Sequence, residues 1–268
     1  MVKRLVIGLA LLLVLTGSGL YAAHTYYRGQ IFNPSSEVAD PAKASYPIEV
    51  VQVPLANGIG LNAWWHAPGP GERTILYLHG NASNVAGYVR GTAPLVEAGY
   101  GLLIIDYRGF GGNPGRPSDE KMLEDGRAAL RWLETQGVSS NGVILYGYSL
   151  GTGVAVPLAA EEQVAGLVLA APFGSIAQMG YERMPRWLVD LLLSDRFDSL
   201  AAAPSVDEPV LIFHGTADEV VPARFSESLA AALPRAQRVI VHGAGHGWDL
   251  FETGGHEAAF QFMAGLAQ

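Results

Sequence analysis

Gly147-Tyr148-Ser149-Leu150-Gly151 is the stretch on which the reading of this chain turns. The run before it, Gly142-Val143-Ile144-Leu145-Tyr146, is β-branched and aromatic with turn residues upstream. The run after it, Thr152 to Ala160, is small and helix-like. A strand, G-x-S-x-G and a helix in that order is the context of a sharp turn that lifts a serine hydroxyl clear of the backbone. The two glycines let the chain reverse and let strand and helix approach closely. In a chain with 33 glycines the pentapeptide alone is an ordinary turn, so the flanks carry the inference.

Length and composition set the frame. The chain has 268 residues, 49% hydrophobic and 16% charged, which suits one well-buried globular body. Net charge is −8, and residues 1–28 contain no acidic side chain, so the acidity lies in the rest. An acidic body repels phosphate backbones, which excludes nucleic acid as a partner. With no cysteine, thiol nucleophiles, Cys-ligated zinc and disulfides are excluded.

At the start, Lys3-Arg4 precede an uncharged run from Leu5 to Ala23, near the roughly 20 residues that cross a bilayer. Residues 1–27 are therefore expected to be a membrane anchor or a cleaved signal peptide. The positive-inside tendency would put the body on the extracytoplasmic side. Residues 28–46 read as a linker and 47–268 as the folded body.

Within the body, Ile48–Val53 and Ile59–His66 flank the hairpin signal Ala56-Asn57-Gly58 and read as antiparallel edge strands. Thr74–His79, Gly101–Asp106, the strand before Ser149, Val164–Ala171, Pro209–His214 and Arg238–His242 then alternate with helical stretches. The clearest helix opens at Ser118 and repeats Met122, Leu123, Gly126, Ala129, Leu130 and Leu133 at helical spacing. Near-continuous apolar strands alternating with helices predict an α/β fold: a mostly parallel sheet covered on both faces. The stretch 173–205 exceeds what a crossover helix needs. It carries Met179, Met184 and Trp187, which suggests a short helical lid over a pocket.

A serine needs a base, and the base needs an orienting carboxylate. For a serine on such a turn the partners follow as acid, then histidine, each leaving the carboxyl end of a strand. Asp218 leaves the strand ending at His214, and His246 sits among glycines after the strand ending at His242. The backbone N–H of Leu150 and that of Asn81, in the loop His79-Gly80-Asn81-Ala82-Ser83, are the expected oxyanion donors. His79, Tyr148, Met179, Trp187 and Trp248 are the expected substrate contacts. Asp106 to Gly112 does not form G-x-G-x-x-G opening a helix, so no dinucleotide or phosphate role follows, and no histidine pair shows metal-ligand spacing with a nearby carboxylate on one helix.

Five motifs together resemble the α/β-hydrolase-fold serine hydrolases over about residues 48–268: Leu78-His79-Gly80-Asn81-Ala82, Asp106-Tyr107-Arg108-Gly109-Phe110-Gly111, Leu145 to Gly151, His214-Gly215-Thr216-Ala217-Asp218 and Gly245-His246. The chain is similar to the membrane-anchored, serine-aminopeptidase-like subgroup, which includes protein depalmitoylases. The resemblance implies an eight-stranded, mostly parallel sheet, a Ser149–Asp218–His246 triad and no cofactor. The short lid departs from the larger caps of proline-specific peptidases and epoxide hydrolases, and a serine at residue 149 departs from the aspartate of the epoxide and haloalkane enzymes. The expected activity is hydrolysis of carboxylic esters or thioesters of a small-molecule or lipid-like substrate, with the membrane engaged through the N-terminus. An amidase or peptidase, or a catalytically idle membrane-tethered binding protein, are the alternatives.

Overall fold

A computed structural model describes residues 2–56 and 58–266, without the side chains of residues 2–10 and 13. The eight strands of the main sheet are β1 (Glu49–Pro54), β2 (Gly60–His66), β3 (Thr74–Leu78), β4 (Gly101–Ile105), β5 (Val143–Tyr148), β6 (Gly166–Ala170), β7 (Val210–Gly215) and β8 (Ala236–Val241). They form one sheet in the spatial order β8-β7-β6-β5-β3-β4-β2-β1. β1 and β2 pair antiparallel, as β2 does with β4; every other neighbouring pair is parallel. The hairpin between β1 and β2 closes through Leu55 N–H to Ile59 O at 2.7 Å; Asn57 lies outside the described residues.

The apolar runs are explained by burial on both faces. Each of β3, β4, β6 and β7 is buried along its whole length. Alternation then splits the side chains: Leu76 and Leu78 enter one core, Ile75 and Tyr77 the other. Helices cover the faces, among them α2 (Val89–Glu97), α3 (Asp119–Thr135), α4 (Thr152–Ala159) and, late in the chain, Arg224–Ala232 and His256–Ala264. In α3, the Ser118 hydroxyl accepts the Lys121 N–H at 3.2 Å, a helix cap, and Asp119 and Glu120 offset the positive end of the helix dipole. The helix ends where Gly137 takes φ +81° and Val138 N–H returns to Leu133 O at 3.1 Å.

The insertion after β6 folds as α5 (Ile176–Tyr181) and α6 (Arg186–Leu192), followed by a short turn of helix at Ser199–Ala202. The two later helices become α7 (Arg224–Ala232) and α8 (His256–Ala264).

The N-terminal expectation is corrected. The first helix, α1, runs Val2–Ile31, but among the described residues no helix is long and apolar enough to cross a membrane. Its described stretch is interrupted by Thr16, Ser18, His24, Thr25, Arg28 and Gln30, and the side chains of Leu5–Ala10 and Leu13, on which the expectation leaned, lie outside the described residues. The membrane anchor, the membrane partner and the membrane-anchored extracytoplasmic placement therefore lose their support. The last turns of α1 are engaged with protein instead. His24 Nδ1 meets Leu192 O at 2.9 Å, and Arg28 forms an ion pair with Asp195 at 3.0 Å. Residues 28–46, expected as a linker, lie against the body: Phe32, Ala39 and Tyr46 are buried, and Asn33–Pro34 pairs in parallel with Ala82–Ser83.

Leu76 sits at the centre of β3 with no exposure. Leu76→Ala is expected to cost about 2–5 kcal/mol, read as a lower urea midpoint at unchanged slope.

Candidate active site

β5 ends at Tyr148, and the chain then turns through Ser149–Gly151 into α4. Ser149 takes φ +50°, a left-handed conformation that non-glycine residues rarely adopt. The turn is so close to its surroundings that a Cβ on Gly147 would lie 2.9 Å from Thr152 Cα, and one on Gly151 would lie 1.9 Å from the Leu78 carbonyl oxygen. No side chain fits at either position.

His246 lies in the loop after β8. Its Nε2 is 2.9 Å from Ser149 Oγ and its Nδ1 is 2.7 Å from Asp218 Oδ2. The loop is held from two sides. Asp249 accepts the Gly245 N–H at 2.5 Å, and the Tyr148 hydroxyl donates to the His246 carbonyl. Tyr148 in turn stacks on Trp248 at 6.2 Å between ring centres.

Asp218 is buried at the end of β7. Its Oδ1 accepts the N–H groups of Val220 at 2.9 Å and Val221 at 2.8 Å, and its Oδ2 faces His246 and also His214 Nε2 at 3.2 Å. Burial alone would raise the carboxyl; hydrogen bonds from His214 and His246, the charge of His246 and the Val221 N–H together outweigh it and hold Asp218 well below the usual carboxylate range. A carboxylate only accepts hydrogen bonds, so His246 Nδ1 must donate to it. The lone pair of Nε2 is left facing the Ser149 hydroxyl. His214 was absent from the sequence-derived site; its spacing of four residues before Asp218, across the end of a strand, is the signal that would have found it.

On the other side of Ser149 lies the loop after β3. A Cβ on Gly80 would touch Ser149 Cβ at 3.4 Å. His79 donates from Nδ1 to Gly80 O at 2.8 Å and Tyr107 donates to His79 O at 3.3 Å, which holds the loop from beneath. His79 Nε2 lies 3.7 Å from Asp106 Oδ1. Burial pushes the His79 imidazole down to about 4 and the Asp106 carboxyl up to about 7, although the Val85 N–H bond partly offsets the latter. His79 is therefore a neutral, enclosed support.

A cavity of about 520 Å³ opens at Ser149, and both Leu150 and Asn81 line it. Phe173, Ile176, Met179, Leu192 and Val221 make its walls apolar. Of the expected substrate contacts, Met179 lines this cavity. His79, Tyr148 and Trp248 lie behind the loops of Asn81 and His246, and Trp187 is 68% exposed outside it. Four lining residues come from α1, namely Tyr26, Tyr27, Gln30 and Ile31, which the sequence had assigned elsewhere. A second groove of about 950 Å³ runs along β8 and α8 and shares no residue with the first. Among the described residues, no group of three or more His, Asp or Glu side chains is gathered as a metal site.

The lowered Asp218 carboxyl has a stability consequence. Because its folded value lies below the unfolded value of about 3.9, its contribution is fully present above that pH and is lost as pH falls through the folded value. Asp218→Asn is expected to cost roughly 1–3 kcal/mol at pH 7, with the gap to wild type narrowing below about pH 4 in urea titrations.

Comparison with known proteins agrees with this geometry. Residues 69–194 match the family model described as serine aminopeptidase, S33, and residues 194–260 match that of TAP-like proteins. An uncharacterized protein of Mycobacterium tuberculosis is 38% identical over 224 residues, covering 82% of this chain and 80% of the relative. The alpha/beta hydrolase domain-containing protein 17C of Xenopus tropicalis is 31% identical over 205 residues, 74% of this chain and 64% of that protein. Among solved structures, a Pyrococcus furiosus esterase superposes with a TM-score of 0.67 at 21% identity, covering 86% of this chain and 99% of its own, which bears on the fold. With the strand order, the turn at Ser149 and these relatives in agreement, the chain belongs to the α/β-hydrolase superfamily of hydrolytic enzymes.

Proposed function

We propose that the chain is a serine hydrolase that cleaves carboxylic ester or thioester bonds of acyl-chain substrates through an acyl-enzyme. The observation that supports this most is the unbroken line from Asp218 through His246 to Ser149, at 2.7 and 2.9 Å, at the mouth of an apolar cavity. In the first half-reaction His246 Nε2 takes the hydroxyl proton while Ser149 Oγ bonds to the carbonyl carbon. The negative charge moves to the carbonyl oxygen, where the N–H groups of Leu150 and Asn81 are the donors; each such donor is worth about 10²–10³ in rate. His246 then gives its proton to the departing alcohol or thiol. In the second half-reaction it draws a proton from water, whose oxygen attacks the acyl carbon, and the carboxylic acid leaves as Ser149 recovers its proton. Asp218 holds the imidazole tautomer and stabilises its transient charge.

The serine aminopeptidase description of the matching family model raises an amide reading. An aminopeptidase must neutralise a free amine, yet none of the residues lining the cavity is acidic, and the charged one is Arg183. Esters and thioesters of acyl chains suit these walls better.

Ser149→Ala and His246→Ala are each expected to lower kcat by about 10³-fold or more. A fluorophosphonate probe is expected to label wild type and not Ser149→Ala; equal labelling of both would remove Ser149 from the mechanism. On a panel of ester, thioester and amide substrates, medium-chain p-nitrophenyl esters should turn over faster than the acetate, and a flat or reversed profile would remove the acyl-chain assignment.

A further inference from the structure

Four of the residues lining the cavity lie on α1, in two pairs spaced by one helical turn: Tyr26 with Gln30, and Tyr27 with Ile31. They line the cavity together with residues of α5 and α6. The helix is not loosely laid there. Besides its bond to Leu192 O through His24, it is pinned by Arg28, which pairs with the buried Asp195 and donates to Pro117 O at 2.7 Å. Phe32, immediately after the helix, packs on Phe197 with ring centres 6.0 Å apart.

The same segment grips the loop that carries the expected oxyanion donor. The Asn81 side chain accepts the Asn33 N–H at 2.8 Å and donates to Gln30 O at 3.5 Å. Ser35 N–H continues this pairing to Ser83 O at 3.3 Å. One short stretch of chain, from His24 to Ser35, therefore touches the insertion after β6, the cavity wall and the loop facing Ser149.

We propose that the last two turns of α1 are a specificity element: Tyr27 and Ile31 form the wall that sets how long an acyl chain the cavity accepts. The inference rests on the assignment of Ser149 as the nucleophile for acyl substrates. Removal of residues 1–31 would take away that wall, so a truncated body would differ from the full chain in the substrates it prefers. Arg28 and His24 are positioning residues in this scheme, since they hold the helix and touch no substrate.

The test uses the full chain and two alkyl fluorophosphonates, ethyl and decyl, with the Ser149 adduct read by mass. For each variant the quantity is the ratio of decyl to ethyl labelling rate constants. Ile31→Trp fills the wall and is expected to lower that ratio by about tenfold or more, and Tyr27→Ala opens it and is expected to raise the ratio by about threefold or more, in keeping with the sensitivity of apolar pockets to a few carbons. Ile31 is buried, so thermal unfolding is measured alongside; should Ile31→Trp fail to fold, the half-buried Tyr27 decides through Tyr27→Ala alone. Folded variants whose ratio stays within about twofold of wild type overturn the inference and leave the serine-hydrolase assignment standing. A wild type labelled by neither probe overturns both.

Discussion

Where β3 ends, the carbonyl oxygen of Leu78 lies so near the backbone of Gly151 that no side chain can come between them. That approach is possible because β3 and β5 are parallel neighbours in register from Thr74 with Val143 to Leu78 with Gly147. The chain leaving β5 must therefore turn over the end of β3, and the loop after β3 must turn beside it. Ser149, Leu150 and Asn81 reach one space for this reason. β4 lies on the other side of β3, so the two chains leaving this pair of strands diverge and leave a crevice, the usual place for a site in an open sheet. The left-handed conformation of Ser149 costs of order 1–3 kcal/mol, which the surrounding sheet over-determines.

Two aspartates show how surroundings decide charge. Asp218 and Asp106 are both buried near strand ends. Asp218 faces two backbone N–H groups and two imidazoles and stays ionised. Asp106 accepts one backbone N–H, from Val85, its other oxygen has no hydrogen-bond partner, and burial raises it to about 7. The greater number of donors facing Asp218, together with the deeper burial of Asp106, separates them. The first faces His246 Nδ1 as an ionised acceptor; the second, beside a neutral His79, supports the loop next to Ser149. Two residues after Asp106, Arg108 clamps Asp125 through its backbone N–H at 2.9 Å and its guanidinium at 2.6 Å, a satisfied buried pair.

Much of this was legible because it is written in local patterns. Strands buried on both faces show as unbroken apolar runs, the Ser118 cap and the period of α3 mark a helix, and Ser149, Asp218 and His246 each follow a strand. What local pattern could not reveal is which distant groups a segment meets. His24 fell within the expected anchor or leader and Arg28 within the expected linker, yet their partners, Leu192, Asp195 and Pro117, lie about 90–170 residues away. Trp187 looked like a pocket residue by type, but a seven-residue helix has one buried face, and Val189 and Leu192 occupy it.

By itself the sequence determined the alternation of strands and helices, the turn that exposes Ser149, and the places of Asp218 and His246 after successive strands, because these depend on side-chain periodicity and on the tight turns that glycine allows. Tertiary structure alone decided the rest. It set Tyr148 against His246 and Trp248, and folded the end of the first helix into the cavity wall. Those outcomes depend on through-space contact and shared burial, which no window of neighbouring residues contains.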